Sequence, residues 1–415
     1  MAANRAVKVL LVSSHPVQYA APLYRLYARD PRLDVTVAYC SLQGAEPGVD
    51  PEFGVQVAWD VPLLEGYRWL HPPNRSPRPG LRGFFGLVNP GLARIIWRER
   101  PHVVVCYGWR AASFWIAALA AKLAGAKLIF TTDAHTLKPR GGLRAKAALK
   151  RVLLPFFFRF ADAAFGPSSR TLALLRSLGV QEDRLFLTHY VVDNRFFAAG
   201  AVAADRIGVR RRWGLSEDAF VVLFVGKLAP WKRPADVLAA ITRVPDAFAA
   251  LAGEGPLRAD LESRAARPDL AGRVRFLGFV NQRALPEVYA AADVLVLTSE
   301  YEAFGLVVNE AFCCGLPTVV TEACGAAGDL VRDGETGYII PVGDVDALAD
   351  RLRCLAADPD LRRALGAAAR TRMDEWGPEQ NAGAFAEACL TLTGRQSPRT
   401  HSARSAIRSR VSPGP

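Results

Sequence analysis

Ser299-Glu-Tyr-Glu-Ala-Phe-Gly-Leu-Val-Val-Asn-Glu-Ala-Phe-Cys-Cys-Gly-Leu-Pro317 is the stretch on which the reading of this chain turns. The run before it, Asp293-Val-Leu-Val-Leu-Thr298, is continuously apolar, as a strand buried on both faces must be. Ala303-Phe-Gly305 predicts a tight turn. The residues after Gly305 predict a helix that stops at Gly315, with Pro317 just beyond. A strand, a glycine turn and a helix start direct unpaired backbone N–H groups at one point, where anions bind. Glu302 stands in the turn and Glu310 eight residues later. Measured from Gly305, the second carboxylate lies about 7–8 Å along the helix axis. The segment can therefore hold a phosphate at its centre and hydroxyls at both ends, which suits a nucleotide sugar.

The same alternation of strand and helix extends in both directions. Phe220–Val225, Ala247–Leu251, Val274–Phe276, Val294–Leu297, Thr318–Val320 and Tyr338–Ile340 predict buried strands. Helical patterns separate them at Pro234–Ile241, Leu257–Arg267, Ala284–Ala291, Glu310–Cys314 and Val345–Ala356. Toward the N-terminus, strands are expected at Val7–Val12, Leu33–Tyr39, Val103–Tyr107, Lys127–Thr132 and Asp162–Phe165. Helices are expected there at Ala21–Ala28, Ala111–Ala124 and Arg144–Phe160, with a Pro- and Gly-rich loop from Pro72 to Gly91. This order predicts an α/β protein with two doubly wound parallel sheets, the second beginning after the Arg-rich stretch Arg206–Arg212. The expected units are residues 1–200, residues 217–375, one further helix at 376–393, and a disordered basic tail at 394–415. Ligands of such sheets bind beyond the carboxyl ends of the strands, and two facing domains leave a cleft.

Glu302-x7-Glu310, with Phe304-Gly-Leu306 inside it and Glu310-Ala-x-x-Cys-Gly-Leu-Pro317 after it, resembles retaining glycosyltransferases of family 4. That family has the GT-B fold, in which two Rossmann-like domains face an interdomain cleft. The likeness spans about Val7 to Thr393 and is strongest from Val221 to Pro341. It implies that Glu302 contacts the donor sugar, that the amides of Phe304, Gly305 and Leu306 hold a diphosphate, and that Glu310 binds ribose hydroxyls. It also implies a terminal helix that crosses back to the first domain, an acceptor held by the first domain, and no resident cofactor or metal.

Further elements follow the strand ends. In Phe224-Val-Gly-Lys-Leu-Ala-Pro-Trp-Lys-Arg-Pro234, Gly226 opens a turn flanked by Lys227 and Lys232, two point charges suited to a diphosphate. The segment is similar to the family's Gly-Arg-Leu…Lys-Gly motif, but Lys227 replaces the Arg and Arg233 replaces the second Gly. Gly253 and Glu254 resemble the turn beside the nucleotide, and Phe279 and Val280 resemble the segment whose backbone meets the base. After the first strand, His15, Gln18 and Tyr19 are candidate acceptor contacts, in a loop that lacks the family's Gly-Gly turn. Asp133 and His135 leave a later strand, and either can bind sugar hydroxyls or relay the acceptor proton. Asp344-Val-Asp346 has metal-site spacing but stands at a helix start, where Asp344 makes a good N-cap. The apolar-basic stretch Lys146–Phe160 suits either a membrane interface or a core-facing helix.

Half of the residues are hydrophobic and no apolar run approaches the length needed to span a bilayer. The start reads as a first strand rather than a signal peptide. Seven cysteines with no Cys-x-x-Cys argue against a disulfide framework or zinc site and suggest buried thiols in a reducing, cytosolic setting. The net charge is +12; five arginines of the acid-free tail supply +5 of it, leaving about +7 on the rest. A basic surface draws anionic lipid head groups or acidic substrates, which makes peripheral attachment to the inner face of a membrane an expectation, with no nucleic-acid motif present. The expected partners are a nucleotide-sugar donor and a glycan or lipid-linked acceptor. A nucleotide-sugar 2-epimerase, a glycosidase and a non-catalytic sugar-nucleotide-binding protein are the rival readings. The glycosidase fits least, because two carboxylates flanking a phosphate-type turn do not bracket a glycosidic bond.

Overall fold

The computed structural model describes residues 6–49, 54–137 and 144–395. Of the expected tail, residues 396–415 lie outside the described residues. The first half contains β1 (Val7–Ser13), β2 (Leu33–Tyr39), β3 (Gly48–Val49), β4 (Gln56–Val57), β5 (Arg68–Leu70), β6 (Val103–Tyr107), β7 (Lys127–Thr131), β8 (Ala163–Gly166) and β9 (Leu185–Leu187). Seven of these form one sheet in the order β5-β2-β1-β6-β7-β8-β9, all pairs parallel, while β3 and β4 make a short antiparallel hairpin. The second half contributes β10 (Phe220–Val225), β11 (Ala247–Ala252), β12 (Val274–Gly278), β13 (Val294–Leu297), β14 (Thr318–Thr321) and β15 (Gly337–Ile340). They form a parallel sheet in the order β12-β11-β10-β13-β14-β15. Strand order reverses beside β1 in the first sheet and beside β10 in the second, and such switch points leave a crevice at the carboxyl ends.

The apolar runs behave as burial on both faces requires. Every residue of β10, β13 and β14 is buried. One hydrophobic cluster runs from Val9 and Tyr24 through Phe197 to Leu223, Phe304 and Phe385, so the two sheets share packing at the cleft floor. The helix over Pro378–Leu392 leaves the second unit and lies on the helix Ala20–Arg29 of the first. There Phe385 stacks on Tyr27 at 4.0 Å, the Tyr27 hydroxyl donates to Asn381 Oδ1 at 2.6 Å, and Arg32 pairs with Glu387 at 3.0 Å.

The Arg-rich stretch is not a bare linker. Arg206–Arg212 is a helix capped by the Asp205 side chain, which accepts from the Gly208 N–H at 2.9 Å. Arg210 is 1% exposed and its guanidinium pairs with Asp293 at 2.7 Å. It also donates to the backbone oxygens of Ala291, Glu217 and Ala219. Asp293 further accepts from Arg206 and from the Val221 N–H at 2.7 Å. This network fastens the first residues of β10 to the entry of β13, the two strands whose exits carry the candidate site.

Three of the expected helices bear on the site and its surroundings. The helix begins at Leu306, directly after Gly305 as the turn implies and four residues before the span Glu310–Cys314, because Gly305 turns the chain at φ +97° and the next residues enter helical geometry at once. Glu310 is therefore mid-helix and buried. Arg144–Phe160 has the expected bounds, with Leu154, Phe157 and Phe158 in the core as the core-facing reading requires, while Val152, Leu153 and Phe156 are exposed. Asp344 caps the helix Val345–Ala357 through the Ala347 N–H at 2.8 Å, and Asp346 pairs with Arg243. No helix among the described residues is long and apolar enough to cross a membrane.

Candidate active site

Thr298, at the exit of β13, draws two loops together. Its hydroxyl lies 2.9 Å from the Lys232 carbonyl and 2.8 Å from that of Arg233, and the Glu300 N–H donates to the Trp231 carbonyl at 2.8 Å. Lys232, from the loop after β10, is thereby set against Glu302, and the two side chains form a largely buried ion pair. Ser299 Oγ stands 3.4 Å from the same Glu302 oxygen. Arg233 turns away to Asp236 and Glu300. The turn itself is fixed from below: the Gly325 N–H donates to the Glu302 carbonyl and the Ala326 N–H to the Phe304 carbonyl, both at 2.9 Å. The Phe304 ring is buried, edge-on to Tyr190 and parallel to Trp376, so its part in a site is through its backbone. Gly305 then delivers the helix Leu306–Cys313 with its N-terminus facing the cleft.

A cavity of about 470 Å³ opens beside that helix start, within the range of small-molecule sites. Its walls include Gly226, Gly253, Phe279, Val280, Leu306 and Glu310, six of the expected donor-side residues. Lys227, Lys232, Glu254, Glu302, Phe304 and Gly305 are not on those walls. Glycine is obligatory at the strand ends: a Cβ on Gly253 would lie 1.9 Å from the Gly226 carbonyl oxygen, with φ at +153°. Glu254 is held by Arg258 at 3.0 Å, which makes it a brace of its own turn. Glu310 accepts from the Tyr289 hydroxyl at 2.6 Å, and burial pushes its carboxyl up to about 7. A hydrogen bond donated to that carboxyl by a ligand hydroxyl would favour its charged form.

The structure divides the expected acceptor residues. His15 and Asp133 line a second, larger cavity of about 1540 Å³ on the first domain, and Tyr19 borders both cavities. Gln18 lies on the smaller cavity with the donor-side group, together with Pro22 and Arg25 of the helix Ala20–Arg29 that follows it. Burial, then the charge of Asp133, pushes the Tyr19 hydroxyl up to about 12. His135 reaches across the cleft instead: its ring stacks on Tyr301 at 5.0 Å, beside Glu302. Its Nδ1 is buried without a partner, and burial followed by the Arg170 charge lowers its pKa, leaving a neutral ring. Asp133 thus lies on the larger cavity and His135 against the turn that carries Glu302.

Several participants were not foreseen in the sequence. Arg170 donates to the Glu322 and Cys324 carbonyls at 2.5 and 2.9 Å, bridging the first domain to the loop under the turn. The Tyr190 carbonyl accepts from both Asn309 and Trp376 at 2.9 Å, tying the domain junction to the helix that carries Glu310. Trp59, on a first-domain loop, meets Phe279 edge-on at 5.9 Å, and Asn281 donates to the Ala58 carbonyl at 2.6 Å. That loop roofs the smaller cavity. Its partners are more than two hundred positions away, so no local pattern announces it.

Two family models match, "Glycosyl transferase 4-like domain" over residues 16–190 and "Glycosyl transferases group 1" over residues 205–372. The D-inositol 3-phosphate glycosyltransferase of Kribbella flavida is 34% identical over 233 residues, 53% of this chain and 54% of that protein. The N-acetyl-alpha-D-glucosaminyl L-malate synthase of Bacillus anthracis is 32% identical over 174 residues, 41% of this chain and 45% of that one. The chain spans about half the length of the curated relatives it matches. The crystal structure of Anabaena HepE in complex with UDP and glucose shares the fold, with a TM-score of 0.71 at 20% identity over 93% of this chain and 100% of that one. With one family model on each sheet and the fold shared end to end, the chain belongs to the family 4 glycosyltransferases of GT-B fold.

Proposed function

We propose that this chain moves a hexose from a nucleotide diphosphate sugar to an acceptor hydroxyl, with retention of anomeric configuration and without a resident metal. The observation that carries the reading is the Lys232–Glu302 pair beside a glycine-turned helix start, next to a cavity that holds Glu310. When the sugar–phosphate bond breaks, negative charge grows on the departing diphosphate. Lys232 then exchanges Glu302 for a phosphate oxygen, the helix N-terminus faces the same charge, and the released Glu302 accepts from sugar hydroxyls. Glu310 takes the ribose. Asp133 orients the acceptor hydroxyl, while neutral His135 borders the reaction centre. Retention follows from the family likeness, with attack on the face that the diphosphate leaves and no obligatory protein nucleophile. HepE was crystallised with UDP, which makes UDP-sugars the first donors to try. Buried free thiols favour a reducing compartment, and a polysaccharide, glycolipid or glycoconjugate is the product class.

The test is release of nucleoside diphosphate from UDP-, GDP- and ADP-sugars in the presence of acceptor sugars, with donor-induced thermal stabilisation as the binding control. Lys232→Ala should lower turnover at least about 10²-fold without unfolding the chain. Turnover equal to wild type in that variant contradicts the assignment. Epimer formation from donor alone would favour the 2-epimerase instead.

A further inference from the structure

The larger cavity is far bigger than a sugar acceptor needs, and its chemistry changes along its length. At the inner end stand His15, Tyr19 and Asp133, the polar groups nearest the donor. Outward, the walls are Trp109, Trp115, Leu119, Leu153, Phe156 and Phe160, from two helices and a strand exit of the first domain. The aromatic rings pack on one another at a tilt: Trp115 meets Phe157 at 4.6 Å, and Phe157 is backed by Phe130 at 4.1 Å. At the mouth the apolar side chains are left in water. Phe156 is 69% exposed, Leu119 57% and Leu153 55%, with Phe84 of the lining at 44%. A contiguous exposed apolar patch of this kind marks a binding surface rather than ordinary scatter. The surrounding sequence is one-sided in charge. From Gly66 to Ala161 the only acidic residues are Glu99 and Asp133, while Lys and Arg recur throughout, and Arg110 lines the cavity itself.

We propose that this channel binds the hydrocarbon chain of an amphiphilic acceptor, so that the substrate class is a lipid-linked hydroxyl compound. The chain lies along the aromatic wall, and the accepting hydroxyl reaches Asp133 at the inner end. The assignment of the hydroxyl end rests on the transfer reading above; the hydrocarbon site stands on the channel alone. The continuity of apolar wall, exposed mouth and Asp133 in one cavity favours a single elongated occupant over a docked protein surface.

Binding of alkyl glucosides to the full chain tests this, with a brominated chain end to quench the tryptophans of the wall and methyl glucoside as the chainless control. Below the micelle threshold, affinity should rise about threefold to fourfold per added methylene. The double variant Leu119→Asp/Phe156→Asp should lose at least about tenfold in dodecyl glucoside affinity and most of the quenching. Phe156→Ser alone, at a solvent-facing position, gives the same comparison if the double variant does not fold. Affinity independent of chain length, or equal quenching in wild type and variants, overturns the proposal. Donor-induced thermal stabilisation should persist in the variants. Its absence in the wild type, with chain-length dependence intact, would remove the transfer reading and leave the channel assignment standing.

Discussion

Glu310→Gln separates a buried carboxyl from an ordinary surface one. In the folded chain the Glu310 carboxyl titrates at about 7, against an ordinary 4.5, because burial disfavours its charge. The folded-state value is the higher one, so the fold binds a proton that the unfolded chain has released between those two pH values. Stability from this group is complete below 4.5 and is lost as pH rises through 7. At about 1.4 kcal/mol per pH unit, the full loss is about 3 kcal/mol. Glutamine keeps the shape, can hydrogen-bond Tyr289, and does not titrate. Denaturant melts of wild type and variant from pH 4 to 8 should therefore show the variant gaining on the wild type by about 3 kcal/mol, mostly between pH 4.5 and 7. Taking the difference between the two cancels other titrating groups. A stability difference that stays flat across that window would refute the reasoning. Donor binding should show the opposite trend, rising with pH in the wild type as the carboxylate forms, and weak at every pH in the variant.

Gly253→Ala should cost at least about 2 kcal/mol and abolish donor-induced stabilisation, because its Cβ would collide with the Gly226 carbonyl. Gly272→Ala, also at positive φ but with nothing within 4 Å, should cost no more than about 1–2 kcal/mol and leave the donor shift intact. Equal behaviour of the two would mean that backbone approach does not shape the cavity. Arg210→Leu leaves Asp293 buried beside an apolar side chain and should cost about 3–5 kcal/mol in denaturant melts. A loss under about 1 kcal/mol would show that the strand entries are held by packing alone.

The two-sheet architecture was legible because β10, β13 and β14 are continuous apolar runs, a pattern that only strands buried on both faces sustain. The edge strands β5 and β9 escaped notice: each has three residues, none fully buried, and too little pattern for periodicity to register. Arg206–Arg212 reads as an Arg-rich boundary because four of its seven residues are arginines, and sequence does not show that Asp293 waits 83 positions away to receive Arg210. In the site, the turn with Glu302, Gly305 and Glu310 was legible because a strand end, a glycine and a helix start are local. The pairing of Lys232 with Glu302 depends on β10 lying beside β13 in the sheet, and the crossing of His135 to Tyr301 and the roof from Trp59 depend on how two domains meet. Gln18 was placed with the acceptor because it neighbours His15 in sequence, yet the chain enters a helix there and successive side chains face different cavities.

A crystal structure of the chain with an intact nucleotide diphosphate sugar tests the central claim most directly. The account predicts the diphosphate at the N-terminus of the helix Leu306–Cys313, Lys232 swung from Glu302 onto a phosphate oxygen, and Glu310 hydrogen-bonded to the ribose. A sugar nucleotide seated elsewhere, with the Lys232–Glu302 pair intact and Glu310 still turned to Tyr289, would contradict it.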